Sequence, residues 1–294
     1  MHPFDAAIRL ESLDATHLRG CMTQAYANMV GPFGGITCAI LLEAALSRPE
    51  RIGDPLALTV NFAAPVGYDD FGIECRAVRT NRSTQHWTLA MSQAGEVVTT
   101  ATLVTALRRE TWSAREAVMP AGLPGADRLA RAPHVELTPW VARYDLRFID
   151  GGLERLGGEE APDSLSRLWI RDDPPRPLSF TSLASMSDCF SPRVMVRRRR
   201  MVPSGTVSVT TYFHADATLL ARQGDRHVLG IARAAGFRNG FGDQFAELWS
   251  DAERPVSLSL RGVLRDRLCE TLIRICGIDP AVPVKSLSAR QKAE

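Results

Sequence analysis

The chain has 294 residues, of which 45% are hydrophobic and 23% are charged, and its formal net charge is +2 at pH 7. This composition is typical of a folded protein of about two domains, and it excludes a disordered or fibrous chain. Because the net charge is close to zero, we expect neither nucleic acid nor a membrane surface as a partner.

The sequence gives no sign of a membrane span, a signal peptide or a metal site. Its longest apolar run, Ile36 to Leu46, is too short to cross a bilayer and contains Glu43. Acidic Asp5 and Glu11 stand where a signal peptide needs an uncharged apolar stretch. The six cysteines and six histidines lack the spacing of zinc ligands or of a disulfide framework. We therefore expect a cytoplasmic protein without a metal ion.

In chain order, the first half predicts two short strands, an apolar helix and four longer strands. The helix is apolar on nearly all sides, so it must be buried, and a curved sheet wrapped around it would bury it. The first long strand places Leu56, Leu58, Val60 and Phe62 on one face. The predicted elements are strands Phe4–Glu11 and His17–Thr23, the helix Gly34–Ser47, and strands Leu56–Pro65, Phe71–Thr80, Gln85–Gln93 and Val97–Leu107.

Residues 108–138 are rich in proline, glycine and arginine and predict a linker, after which the pattern of the first half returns. The second set comprises strands Trp140–Ile149 and Leu165–Arg171, a helix Ser179–Phe190, and strands Thr206–Ala217, His227–Arg238, Gln244–Trp249 and Val256–Val263. Thr59–Phe62 aligns with Thr210–Phe213, which supports a duplication. A fused pair of related units leaves two clefts that can diverge.

The domain boundaries follow from this repeat. We expect an N-terminal unit at 1–110, a linker at 111–138, a C-terminal unit at 139–265, and a C-terminal helix and tail at 266–294. The spacing of Leu264, Leu268, Leu272 and Ile275 predicts that last helix.

The second predicted helix carries a single carboxylate, Asp188, among apolar neighbours. Partial desolvation raises the pKa of a carboxyl group and makes it a better general base near neutral pH. The alternative is an aspartate near a helix end that simply reaches solvent. Neighbouring Ser187 lacks the glycine pattern of a nucleophile elbow, so covalent catalysis is disfavoured.

Glu43 is the matching acid of the first helix and is an alternative catalytic candidate. An acid on so apolar a helix needs a polar partner or a water-filled cleft. Gly34 and Gly35 open that helix, where unpaired N–H groups could polarise a substrate carbonyl. Alternatively, the two glycines only allow the helix to pack closely.

The densest basic run is Arg197–Arg200. Guanidinium groups bind phosphates in bidentate fashion, although such a run is more often a solvated loop or strand edge. Arg82, in the turn between two strands, invites the same two interpretations. His214 at a strand end is a further conceivable base, but a structural role is more common there.

Five segments in this order resemble the acyl-CoA thioesterase II family, whose members are tandem, or double, hotdog proteins. The resemblance covers most of positions 1–263 and lies in Asn28–Gly35, Asn61–Pro65, Arg79–Ser83, Ala184–Asp188 and Tyr212–His214. It implies an α+β fold in which each long antiparallel sheet wraps one central helix. It also implies hydrolysis of acyl-CoA without a metal or other cofactor, coenzyme A being part of the substrate.

The resemblance assigns catalytic roles in the second unit. The family's aspartate falls on Asp188, and its threonine, seven residues before the phenylalanine of a Phe-His pair, falls on Thr206. Its glutamine falls on Leu260, which cannot orient a water, and nearby Ser259 is the alternative. Strand alternation points Thr206 away from the core unless Gly205 or a bulge re-aims it.

We therefore expect a homo-oligomeric acyl-CoA thioesterase with Asp188 and Thr206 as catalytic residues. Gly34, Gly35, Arg82, Arg197 and Arg198 are the expected substrate-binding residues. Two alternatives stay open: a weak or inactive acyl-CoA-binding protein, supported by Leu260, and a hotdog hydratase or dehydratase that would use His214.

Overall fold

A computed structural model describes residues 1–114, 116–134, 136–153 and 156–250, together with the backbone of the last strand at 255–265. The first half contains helices α1 (Pro3–Ala7) and α2 (Gly34–Leu46). Its strands are β1 (Glu11–Ser12), β2 (His17–Cys21), β3 (Ala27–Asn28), β4 (Gly31–Pro32), β5 (Asp54–Phe62), β6 (Asp70–Thr80), β7 (Thr84–Gln93) and β8 (Glu96–Ala106).

The second half begins after a linker with a short 3-10 turn at Ala126–Arg128, and a 3-10 helix at Pro139–Arg143 opens it. Its helices are α3 (Phe180–Met186), α4 (Arg193–Arg198) and α5 (Ala217–Gln223). Its strands are β9 (Tyr144–Asp150), β10 (Ser166–Asp172), β11 (Gly205–Phe213), β12 (Val228–Arg233), β13 (Phe237–Arg238), β14 (Phe241–Trp249) and β15 (Pro255–Arg265).

One antiparallel sheet runs through both halves. The first half contributes the order β1-β2-β6-β7-β8-β5, and the second half contributes β11-β15-β14-β12-β10-β9. Outward from the β5–β11 junction, the strands of the two halves correspond one to one. The pairs are β5 and β11, β8 and β15, β7 and β14, β6 and β12, β2 and β10, and β1 and β9. The predicted duplication and the predicted long antiparallel sheets are therefore confirmed.

The two main helices form the centre of the core. Helix α2 is buried on almost every side, with Cys38, Ile40, Leu41 and Leu42 wholly inaccessible to solvent. Helix α3 packs against α2 and is buried over its whole second half. The prediction that an all-apolar helix lies within a curved sheet is confirmed.

The N-terminal strand prediction is wrong, because Pro3–Ala7 forms helix α1 and only Glu11–Ser12 pairs as a strand. Pro3 suits the first turn of a helix, and the His2 ring accepts a hydrogen bond from the Phe4 N–H at 3.0 Å. The strand predicted at Trp140–Ile149 likewise begins only at Tyr144.

The second central helix is shorter than predicted. It ends at Met186, and two further helices, α4 and α5, occur where none was predicted. Helix α4 includes the first part of the basic run. The predicted C-terminal helix lies outside the described residues.

A β-bulge corrects one predicted core position. The pairing of β5 with β8 shifts register between Pro55 and Ala57, so Leu56 is 40% exposed while Leu58 and Val60 are buried. The predicted turn at Ala94–Gly95 is confirmed, with φ values of 48° and 86° that suit a tight hairpin. None of the helices in the described part of the chain is both long and apolar enough to span a membrane.

Candidate active site

Asp188 lies just beyond the C-terminus of α3 and is only 4% exposed. Its backbone N–H donates to the carbonyl of Ser185 at 3.1 Å, which tightens the chain directly after the helix. The alternative of an aspartate reaching bulk solvent is therefore wrong. The carboxylate therefore lies inside the protein.

The carboxylate of Asp188 faces the first turn of α2, which belongs to the other half of the chain. A Cβ atom placed on Gly34 would lie 2.8 Å from Asp188 Oδ2 and 3.3 Å from Phe62 Cζ. A Cβ atom on Gly35 would collide with the carbonyl oxygen of Ser185 and with the ring of Phe33. Both glycines are thus required for close approach between the two halves.

The N-terminus of α2 has the electrostatics of an anion site. Phe33 is the N-cap residue, and its phenyl ring cannot accept the hydrogen bonds that a serine or aspartate would accept there. The 13-residue helix also directs the positive end of its dipole at this point. N–H groups of the first turn can therefore stabilise negative charge that develops on a nearby oxygen.

Hydroxyl groups of α3 and β11 meet beside this acid. Ser187 Oγ lies 3.1 Å from Thr211 Oγ1 and donates to the carbonyl of Ala184 at 2.7 Å. Two residues before Ser187, Ser185 Oγ lies 2.6 Å from the Tyr144 hydroxyl. Sequence reasoning missed Thr211, although its alternation with buried Val209 and Phe213 marked it as facing the core.

The register of β11 locates the residues that the family resemblance assigned to this strand and to β15. Thr211 pairs with Ser259, and Thr210 pairs with Leu260. The pairing keeps a constant register from Gly205 to Phe213, so Thr206 stays on the row of Ser208 and Thr210. Thr206 is half-buried, and its catalytic role stays a prediction, as does that of Ser259.

Two aromatic rings border the α2 end of this site. The rings of Phe33 and Trp140 stack with centroids 4.2 Å apart and planes 6° apart. Trp140 belongs to the second half, so this contact also joins the two halves. The sequence did not point to Trp140, because stacking depends on the packing of distant segments.

Glu43 lies about 14 Å along α2 from Gly34, at nine residues of 1.5 Å each, and it faces a different polar cluster. Burial raises the pKa of Glu43, Asp5 adds to this effect, and Arg176 and Arg51 oppose it. Arg176 also bonds to Asp5 at 2.7 Å and lies 4.9 Å above the Phe4 ring. Helix α1 thus covers the end of the helix pair where Glu43 lies.

The predicted arginines are not brought together. Arg82 is exposed in the β6–β7 turn. This turn lies near the C-terminal end of α2, because Gln85 of β7 accepts a hydrogen bond from the N–H of Ile52, which follows that helix. Arg197 and Arg198 lie in α4 and both pair with Glu160, at 3.3 and 3.6 Å. His214 is exposed at the end of β11. Within the described residues, no group of three or more metal-ligating side chains occurs.

Two family models match the chain. Residues 23–106 match the acyl-CoA thioesterase N-terminal domain, and residues 115–264 match the acyl-CoA thioesterase C-terminal domain. No curated protein matches the chain.

Several solved structures are similar over nearly the whole chain. A conserved protein of unknown function with a hot dog fold from Alicyclobacillus acidocaldarius is 49% identical, with a TM-score of 0.85, covering 90% of this chain and 98% of that chain. The tesB protein of Mycobacterium avium subs paratuberculosis is 15% identical, with a TM-score of 0.73, covering 89% and 97%. Acyl-CoA thioesterase II TesB2 from Mycobacterium marinum is 17% identical, with a TM-score of 0.68, covering 89% and 97%. The two distant likenesses show the fold, and the predicted tandem hotdog is confirmed.

Proposed function

Because the chain belongs to the acyl-CoA thioesterase family, we propose that it hydrolyses an acyl-CoA thioester to a free acid and coenzyme A, with Asp188 as general base. The observation that carries the proposal is the approach of Asp188 Oδ2 to within 2.8 Å of the Cβ position of Gly34. A buried base and a helix N-terminus face each other there across the two halves. Hydrolysis of a thioester uses a base that activates the attacking water and N–H groups that stabilise the oxyanion, so both must lie next to the same carbonyl group.

The mechanism follows from this geometry. Asp188 accepts a proton from a water as its oxygen attacks the carbonyl carbon. The carbonyl oxygen becomes an anion next to the N–H groups of the first turn of α2. When the tetrahedral intermediate collapses, the C–S bond breaks and the proton on Asp188 passes to the departing sulfur. Free acid and the thiol of coenzyme A are released, and the carboxylate is regenerated.

Thr211 and Ser187 are the hydroxyls that we assign to positioning the attacking water. They hydrogen-bond to each other at 3.1 Å, and Ser187 directly precedes the base. Thr206 stays a candidate for the same role from the family resemblance. The proposal needs no cofactor besides the substrate's own coenzyme A. Cytoplasmic localisation and assembly into a homo-oligomer also remain predictions.

A protein that binds acyl-CoA without hydrolysing it is the second candidate function. Leu260 supports it, since an aliphatic side chain stands where the family resemblance expects a glutamine. Such a protein would bind acyl-CoA and release no thiol. A hydratase is less favoured, because His214 is exposed at a strand end while Asp188 is buried.

Thiol release from a panel of acyl-CoA chain lengths tests the proposal, with Asp188→Asn as the variant and Glu43→Gln as the matched control. We expect Asp188→Asn to lower kcat by about 10²- to 10⁴-fold, the usual contribution of a general base. Glu43→Gln should retain activity, because Glu43 faces the cluster of Asp5 and Arg176. Full activity in Asp188→Asn would refute the assignment of the base, and acyl-CoA binding without thiol release by the unmodified protein would favour the second candidate.

A further inference from the structure

The two halves differ most in two segments of the second half. The connection from β9 to β10 spans residues 151–165, whereas β1 and β2 are joined by residues 13–16. The connection from α3 to β11 spans residues 187–204 and contains α4, whereas α2 and β5 are joined by residues 47–53. Both long connections belong to the half that carries Asp188.

The two connections are bonded to each other. The N–H of Ala161 donates to the carbonyl of Arg197 at 2.8 Å, and that of Gly157 donates to the carbonyl of Arg199 at 2.7 Å. Glu160 also lies within 4.0 Å of the guanidinium groups of Arg197, Arg198 and Arg200. The segments therefore form one unit with no counterpart in the first half.

A cavity of about 210 Å³ lies between them. Its wall is largely apolar and includes Leu153, Leu165 and Met195, and Arg199 also lines it. Cavities that enclose a whole small ligand are usually about 300–1,000 Å³, so this one suits one end of a longer molecule.

The rim of the cavity carries excess positive charge. Three arginines, 197, 198 and 200, share the single carboxylate of Glu160, and among the described residues Arg199 forms no ion pair. The carboxylates in the lining are already engaged, Asp150 with Arg167 and Asp163 with the N–H of Leu165 at 2.9 Å. A polyanionic group would therefore find unneutralised guanidinium groups at this rim.

A buried arginine fixes α4 at the end of the sheet where α3 terminates. Arg193 is wholly inaccessible and donates to the carbonyl of Ser164 and to Ser166 Oγ, both at 2.8 Å, and to Gln244 Oε1 at 2.9 Å. Its bonds tie α4 to β10 and β14. The cavity is thus preformed and is connected to Asp188 by a short, anchored stretch of chain.

We propose that this cavity binds the nucleotide end of the coenzyme A substrate, with the adenine ring against the apolar wall and phosphate groups at Arg199 and Arg200. The inference rests on the proposed function for its choice of ligand. An acyl tail would fit the wall equally well but gains nothing from the neighbouring arginines. A nucleotide combines a flat apolar ring with phosphates, and arginine binds phosphate in bidentate fashion.

Two variants test the cavity. The matched control is Arg19→Gln, which changes an exposed arginine of β2 that pairs with Glu11 in the first half. Arg199→Gln removes a rim charge, and Ala161→Phe fills the cavity while keeping the backbone hydrogen bond to Arg197. Each should raise KM for acyl-CoA about tenfold, Arg199→Gln because one charge-assisted contact is lost and Ala161→Phe because the ring of the nucleotide no longer fits. Neither should change KM for the same acyl group on N-acetylcysteamine, which lacks the nucleotide. Arg19→Gln should leave both values unchanged.

Calorimetric titration with adenosine 3′,5′-bisphosphate separates this inference from the proposed function, since it requires no catalysis. The unmodified protein should bind this probe, and both cavity variants should bind it about tenfold more weakly. Equal binding by all three proteins, or a KM that rises equally for both thioesters, would overturn the inference. If no thioester is hydrolysed but the probe result holds, the proposed reaction fails and the nucleotide site stands.

Discussion

The hydroxyl groups of Thr59 and Thr210 lie 3.0 Å apart and hydrogen-bond across the junction of β5 and β11. The two residues also pair directly in the strand register. They occupy equivalent positions in the aligned segments Thr59–Phe62 and Thr210–Phe213. Equivalent residues meet each other only on a two-fold axis, so the axis of the internal duplication passes between these two side chains.

The threonine pair should contribute measurable coupling between the halves. Replacing Thr59 or Thr210 by valine should cost up to about 1 kcal/mol of unfolding free energy, since one hydroxyl then loses its partner. The double variant should cost less than the sum, with a coupling of about 0.5–1 kcal/mol. Chemical denaturation of the four proteins measures this cycle.

Thr88 and Thr102 provide the control cycle. They pair across β7 and β8 and are exposed, and no side-chain hydrogen bond joins them in the described part of the chain. Their coupling should be close to zero. Equal coupling in both cycles would mean that the Thr59–Thr210 bond contributes nothing specific.

Gly34→Ala should lower activity without loss of stability. The added methyl would lie 2.8 Å from Asp188 Oδ2, so the carboxylate must move from its position at α2. Alanine favours a helix over glycine by up to about 1 kcal/mol, which keeps the fold intact. We expect kcat for thiol release to fall at least about tenfold, since misplacing a catalytic group by about 1 Å is this costly.

Gly72→Ala is the matched control for this substitution. A Cβ atom on Gly72 has no protein atom within 4 Å, and the residue lies in β6. Its activity should equal that of the unmodified protein. If Gly34→Ala were fully active with an unchanged melting temperature, the contact with Asp188 would have no catalytic importance.

Asp172 should make the protein more stable as the pH falls from 7 to 4. Burial raises the pKa of this 2%-exposed carboxyl from 3.8 to about 6, although Arg176, Ser182 and His2 oppose the effect. The folded state then binds a proton more tightly than the unfolded state. The contribution is fully present below about pH 4 and is lost as the pH rises through about 6, amounting to about 3 kcal/mol.

Comparison with Asp172→Asn isolates this group from other carboxylates. As the pH falls from 7 to 4, the free energy of unfolding of the unmodified protein should rise relative to that of the variant. Urea denaturation at several pH values measures it. A difference that is constant between pH 4 and 7 would show that Asp172 has an ordinary pKa in the folded state.

Much of the fold could be read from local pattern. The alternation in β6, β7 and β8 and the unbroken apolar run of α2 are short-range signals, and the strands and helix that they predict are confirmed. The failures have local causes that pattern does not reveal. The His2 cap and Pro3 turn the first segment into a helix, and a bulge after Pro55 exposes Leu56.

The site was only partly accessible from the sequence. Asp188 could be singled out because it is the only acid in an apolar helix segment, and Gly34 because glycines open α2. Thr211 and Trp140 gave no comparable signal. Their relevance depends on a hydroxyl contact with Ser187 and a ring stack on Phe33, both between segments far apart in the chain.

The sequence by itself determined the duplication and the two central helices, and it singled out Asp188 as the one acid of the second apolar segment, because periodicity and composition act over a few residues. Only the tertiary structure decided that Asp188 faces Gly34 while Glu43 faces Arg176 and Asp5. The packing of α2 against α3 sets these neighbours, and that packing is the summed result of contacts made along the whole sheet. Two acids in similar local sequence contexts therefore acquire different surroundings.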